Sequence, residues 1–99
     1  MVGDPLVGPI HPALATDAEA VIQASSDGLT VVVVEESSDG TTWAAQIAYM
    51  VGAGTINGVR IYGPTNSWRV KLYSPNGLGI KKATVSTQLR TPMLAASQF

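Results

Sequence analysis

The tetrapeptide Ser-Ser-Asp-Gly occurs at Ser25 to Gly28 and returns twelve residues later at Ser37 to Gly40. Asp-Gly favours tight turns because both residues tolerate positive φ. Between the two turns lies Leu29-Thr30-Val31-Val32-Val33-Val34-Glu35-Glu36. This run is rich in β-branched residues, too short for a typical helix, and apolar at odd and even positions alike. It therefore predicts a central strand covered on both faces. Ala18 to Ser25 before it and Trp43 to Met50 after it are strand-like as well. Two such turns in succession predict two hairpins and a three-stranded antiparallel meander.

The rhythm continues to residue 90. Trp43, Ala45, Ile47 and Tyr49 alternate with Ala44, Gln46, Ala48 and Met50, and Gly52-Ala53-Gly54 ends that strand. Val59 and Ile61 alternate with Arg60 and Tyr62, before a turn at Gly63-Pro64-Thr65-Asn66. Trp68, Val70 and Leu72 share a face opposite Arg69, Lys71 and Tyr73, which describes a half-buried strand. After a loop at Ser74 to Gly79, a last strand sets Ala83, Val85, Thr87 and Leu89 inward. Lys82, Thr84, Ser86, Gln88 and Arg90 face out. Six strands, short turns and two tryptophans on apolar faces predict an all-β fold, an antiparallel β-sandwich or small barrel with extended N- and C-terminal tails. Strand registers, which decide between sandwich and barrel, cannot be read from one sequence.

The expected organisation is an extended arm over residues 1–16, a sandwich over 17–91 and a tail over 92–99. Pro5, Pro9 and Pro12 exclude helix from the arm and bias it to extended geometry. A free polar tail would not carry Leu6, Val7 and Ile10, nor Met93, Leu94 and Phe99 at the other end. The residues expected to form a protein interface are accordingly Pro5, Leu6, Val7, Pro9, Ile10, Met93, Leu94 and Phe99. The arm is expected to dock on its own domain or on a neighbouring subunit.

Composition points the same way. Only 13% of the residues are charged, against roughly 25% in ordinary soluble domains. The formal net charge is −1, so copies of the chain repel one another weakly, which suits a homo-oligomer. Every acid, from Asp4 to Asp39, precedes every base, from Arg60 to Arg90. Such halves pair either across strands of one sheet or between an acidic flank of one subunit and a basic flank of the next. No apolar run approaches the roughly 20 residues of a membrane span, and Met1 to Pro5 lacks the basic start of a signal peptide. The chain reads as a soluble product of the cytosol.

Catalytic chemistry finds little purchase. Without cysteine there is no thiolate nucleophile and no Cys-based zinc site. His11 is the single histidine and lies in the arm, away from any acid that would make a triad. Glu35 and Glu36 are adjacent in a strand, so they point to opposite faces and cannot work as a carboxylate pair; a solvated strand end is expected. The Asp-Gly turns lack the ladder of oxygen ligands of a calcium loop, and the glycines lack a P-loop lysine. No enzyme, cofactor or metal is expected. The bases and tyrosines of the second half would suit an oligonucleotide-binding barrel, but a pI near 5.6 argues against nucleic acid. A carbohydrate-binding module would need exposed tryptophans, whereas Trp43 and Trp68 are both expected in the core.

Three strings together, Val34-Glu35-Glu36-Ser37-Ser38-Asp39-Gly40-Thr41-Thr42-Trp43, Val59-Arg60-Ile61-Tyr62-Gly63-Pro64 and Ser67-Trp68-Arg69-Val70-Lys71-Leu72-Tyr73, resemble the small β-sandwich modules of tailed-phage virion proteins. In those modules an SxDGxTW hairpin joins two core strands and an RVxV strand follows. The likeness spans about Ala18 to Arg90 and departs at Trp68, where Tyr or Phe is commoner. It implies a non-enzymatic capsid decoration (cement) protein bound to the major capsid protein on the capsid exterior and assembled in the host cytoplasm. A tail, neck or head-fibre base component is the related alternative.

Overall fold

The computed structural model describes residues 5–75 and 83–90. Among these residues seven strands form: β1 (Leu6–Val7), β2 (Glu19–Ser26), β3 (Thr30–Ser37), β4 (Ala44–Val51), β5 (Ile56–Tyr62), β6 (Ser67–Tyr73) and β7 (Ala83–Arg90). They make two separate antiparallel sheets, ordered β1-β6-β3-β4 and β5-β2-β7. The fold is thus a β-sandwich, one of the two forms the strand rhythm allowed, and not a closed barrel. Residues 92–99, with Met93, Leu94 and Phe99, lie outside the described residues, as do Lys81 and Lys82.

Between the sheets sit Ala20, Ile22 and Ala24 from β2, Val32 and Val34 from β3, Val51, Ile61, and Trp68, Val70 and Leu72 from β6. Trp68 is the largest fully buried side chain. The period-two pattern of β2 and β6 places these residues inward without exception, and burial of each large side chain contributes roughly 1.5–3 kcal/mol.

The first Ser-Ser-Asp-Gly turn does something other than close a hairpin. β2 and β3 belong to different sheets, so Ser26 to Thr30 is a crossing between layers and the expected three-stranded meander does not form. Each of the two strands is central, flanked on both sides by others, and their apolar faces oppose one another across the core. At the crossing the Thr30 hydroxyl donates to Ser26 Oγ at 2.8 Å, and the Gly54 amide donates to the Ser26 carbonyl at 2.9 Å. The buried polar groups of the crossing are thereby paired, as burial requires.

The second turn is the expected hairpin, joining β3 to β4. Asp39 Oδ1 accepts hydrogen bonds from the amides of Thr41 and Thr42, both at 2.8 Å, and from the Ser37 hydroxyl at 2.9 Å. Gly40 supplies the positive φ of 80° that the turn needs. Donors converging on one carboxylate, the Thr42 and Thr41 amides foremost, hold Asp39 far below the usual carboxylate range.

A bulge breaks the β3–β4 register: Val34 faces Ile47, but Glu35 faces Ala45, leaving Gln46 as the extra residue. One inserted residue reverses the phase of everything beyond it. Ile47 and Tyr49 pack toward the core as expected, while Ala45 lies on the outer face. Trp43, read as a core residue beside them, is instead half-buried over the outer-face Arg69, with the guanidinium carbon 4.1 Å from the ring centroid. Of the two tryptophans expected inside, only Trp68 is there.

Candidate interaction surface

Proline spacing made the arm extended, and the structure shows where its backbone goes. Leu6 faces Leu72 and Val7 faces Lys71 in antiparallel register, and the Gly8 amide donates to the Val70 carbonyl at 2.9 Å. Three residues on, His11 and Trp68 exchange both backbone hydrogen bonds, at 2.8 and 3.2 Å. The arm therefore lies along the free side of β6 in its own domain. Its root is clasped by the turn after β5: the Thr65 amide donates to the Leu14 carbonyl at 3.0 Å, the Thr65 Oγ1 accepts from the Leu14 amide, and the Gly63 amide donates to the Ala18 carbonyl. A Cβ on Gly63 would overlap the Ala15 carbonyl, so only glycine fits there.

The backbone is docked but the side chains are not. Leu6 and Val7 are each 49% exposed and Ile10 57%, and Pro5 and Pro9 are exposed beside them. Below the arm a groove of about 310 Å³ opens at the sandwich edge, lined by Leu6, Val7 and Pro9 of the arm, Val70 and Leu72 of β6, and Val85 and Thr87 of β7 in the other sheet. Sequence reading named the arm residues of this surface. It missed Val70, Leu72, Val85 and Thr87, which alternation had assigned to the closed core, because the two sheets part at the edge where β1 and β7 face each other.

His11 stacks on Trp68, ring centroids 4.1 Å apart and planes 17° from parallel. This partial burial lowers the imidazole pKa, so the ring is neutral over most of the physiological range. It caps the core tryptophan at the end of the arm. Among the described residues, Trp68 Nε1 is buried without a hydrogen-bond partner.

Charge is settled within the chain on the outer face of the four-stranded sheet. Glu35 is only 6% exposed, not at a solvated strand end. Its Oε1 accepts from Arg69 Nε at 2.9 Å and its Oε2 meets Lys71 Nζ at 3.2 Å. Burial alone would raise the Glu35 carboxyl, but the hydrogen bonds and charges of Arg69 and Lys71 outweigh it and hold the group below its ordinary value. Glu36, on the opposite face as its position required, accepts from the Asn66 amide at 2.8 Å. For these groups the acid-then-base layout is cross-strand pairing inside one subunit.

Among the described residues, no group of three or more His, Asp or Glu side chains is placed to hold a metal ion. No family model, curated protein or solved structure matches the chain.

Proposed function

We propose that this protein is a non-enzymatic structural component of a tailed-phage particle, most specifically a capsid cement protein that binds neighbouring major capsid subunits as an oligomer. The observation that carries this reading is the arm. Leu6, Val7 and Ile10 hold roughly half their surface in water along a backbone already fixed to β6. Apolar side chains on a pre-ordered backbone, Leu6 on the Leu72 face beside the groove and Val7 on the Lys71 face, fit contact with another protein, because most of the ordering entropy has been met before binding. Exposed apolar patches rimmed by polar residues mark such contacts. Arg69 and Lys71 are engaged with Glu35, which leaves fewer bases of the second half for an oligonucleotide and favours a protein partner.

Removing residues 2–12 outright would strip β6 of its neighbour and uncover Trp68, so the test needs substitutions that keep the backbone. The triple variant Leu6→Ser, Val7→Ser, Ile10→Ser preserves the Gly8 and His11 amide bonds. It is expected to lose binding to phage heads while keeping the β circular-dichroism spectrum. A variant that still decorates heads would place the contact elsewhere. A copy number matching tail or neck symmetry would favour the related tail or neck component.

A further inference from the structure

We infer that β4 is the seam through which two copies of this chain join, edge to edge, into one continuous sheet. The inference gives the oligomer proposed above its interface and rests on that part of the reading alone.

A sandwich of two open sheets has four edge strands: β1 and β4 in one, β5 and β7 in the other. Exposed edges invite pairing with another chain, and proteins guard them with charge, proline or very short strands. Two of the four edges are guarded: β1 is two residues long and lies between Pro5 and Pro9, and β5 carries the exposed Arg60. A third, β7, exposes the polar Ser86 and Gln88. β4 reads Ala-Ala-Gln-Ile-Ala-Tyr-Met-Val, eight residues with no charge, no proline and no glycine. Among the described residues no strand pairs with its outer side. The polar link there is made by Asn57 of β5, whose Nδ2 donates to the Met50 carbonyl at 3.0 Å.

The bulge at Gln46 bends the start of β4 and leaves Ile47 to Val51 as the regular stretch. Ala48 lies on the outer face, opposite Val33, and is exposed. Antiparallel pairing about a two-fold axis at Ala48 sets the smallest side chain against itself. It also sets Ile47 against Tyr49 of the second copy, with the flexible Met50, 50% exposed, beside the seam. A second copy is the occupant that fits: its edge is equally free of charge, and a net charge of −1 per chain opposes approach only weakly. The product is an eight-stranded sheet made from two four-stranded ones.

The chain has no cysteine, so an introduced one is unique. Residues facing each other in an antiparallel pair have Cα atoms about 4.5–5.5 Å apart, within disulfide range. In the full chain, air oxidation of an Ala48→Cys variant is expected to give a covalent dimer rapidly, and Ser86→Cys on the β7 edge is not. Ala48→Lys, which sets like charges opposite each other, is expected to weaken the dimer by about a hundredfold or more in sedimentation equilibrium, with the β spectrum unchanged. An oligomer in which Ser86→Cys crosslinks and Ala48→Cys does not would overturn the seam but keep the oligomer. A chain that sediments as a monomer at about 100 μM, roughly a hundred times a micromolar dissociation constant, would overturn both.

Discussion

Replacing Glu35 by Gln tests how the outer face is held. The substitution keeps the shape but removes the charge that Arg69 and Lys71 share at 2.9 and 3.2 Å. Breaking a fully buried ion pair by removing one partner costs about 3–5 kcal/mol. Here the carboxylate side chain is 8% exposed, but those of Arg69 and Lys71 are 22% and 28% exposed, so water recovers part of the loss. The expected cost is about 2 kcal/mol, or about 10 °C in Tm for a domain of this size. The pH dependence carries the sign. The folded pKa of Glu35 lies below its ordinary value near 4.5, so the unfolded chain takes up the proton first as pH falls. Its stabilisation is complete above about pH 5 and is lost as pH falls from there through the folded value. Differential scanning fluorimetry of the native chain and Glu35→Gln should show the gap at pH 7 and its narrowing toward about pH 3. A Tm difference under about 3 °C at pH 7, or a gap that does not narrow in acid, would refute the reasoning.

Other expectations follow from single contacts. Trp68→Ala empties the largest buried site and is expected to cost about 3–5 kcal/mol, measured by urea unfolding. Gly63→Ala forces a methyl against the Ala15 carbonyl, where backbone must move, and should cost about 3 kcal/mol in the same assay. Asp39→Ala removes the acceptor of three hydrogen bonds and should lower Tm at pH 7. Because the folded Asp39 pKa is depressed, that difference should shrink as pH falls below the ordinary value near 3.8.

How much of this was legible in the chain varies by element. The burial of Trp68, Val70 and Leu72 followed from strict alternation, and so did the opposite faces of Glu35 and Glu36. The hairpin at Ser37 to Thr42 followed from its turn chemistry. The same tetrapeptide at Ser25 to Gly28 gave the wrong geometry, since a turn motif specifies a local bend and not which sheet the next strand joins. Trp43 was misplaced because a one-residue bulge at Gln46 leaves no mark in the hydrophobic pattern yet reverses it. The apolar arm residues were visible as an anomaly, but their registry on β6, and the groove they overhang, depend on contacts more than fifty residues apart. His11 looked inert in the sequence because its partner, Trp68, is remote.

The role proposed for the exposed apolar arm is to bind other protein chains on a phage particle. The most direct measurement is sedimentation of the protein with intact heads, native chain beside the Leu6→Ser, Val7→Ser, Ile10→Ser variant, with copy number counted per particle. The account predicts many native copies per head and few or none of the variant. Native protein that stays in the supernatant, or a variant that pellets equally well, would contradict it.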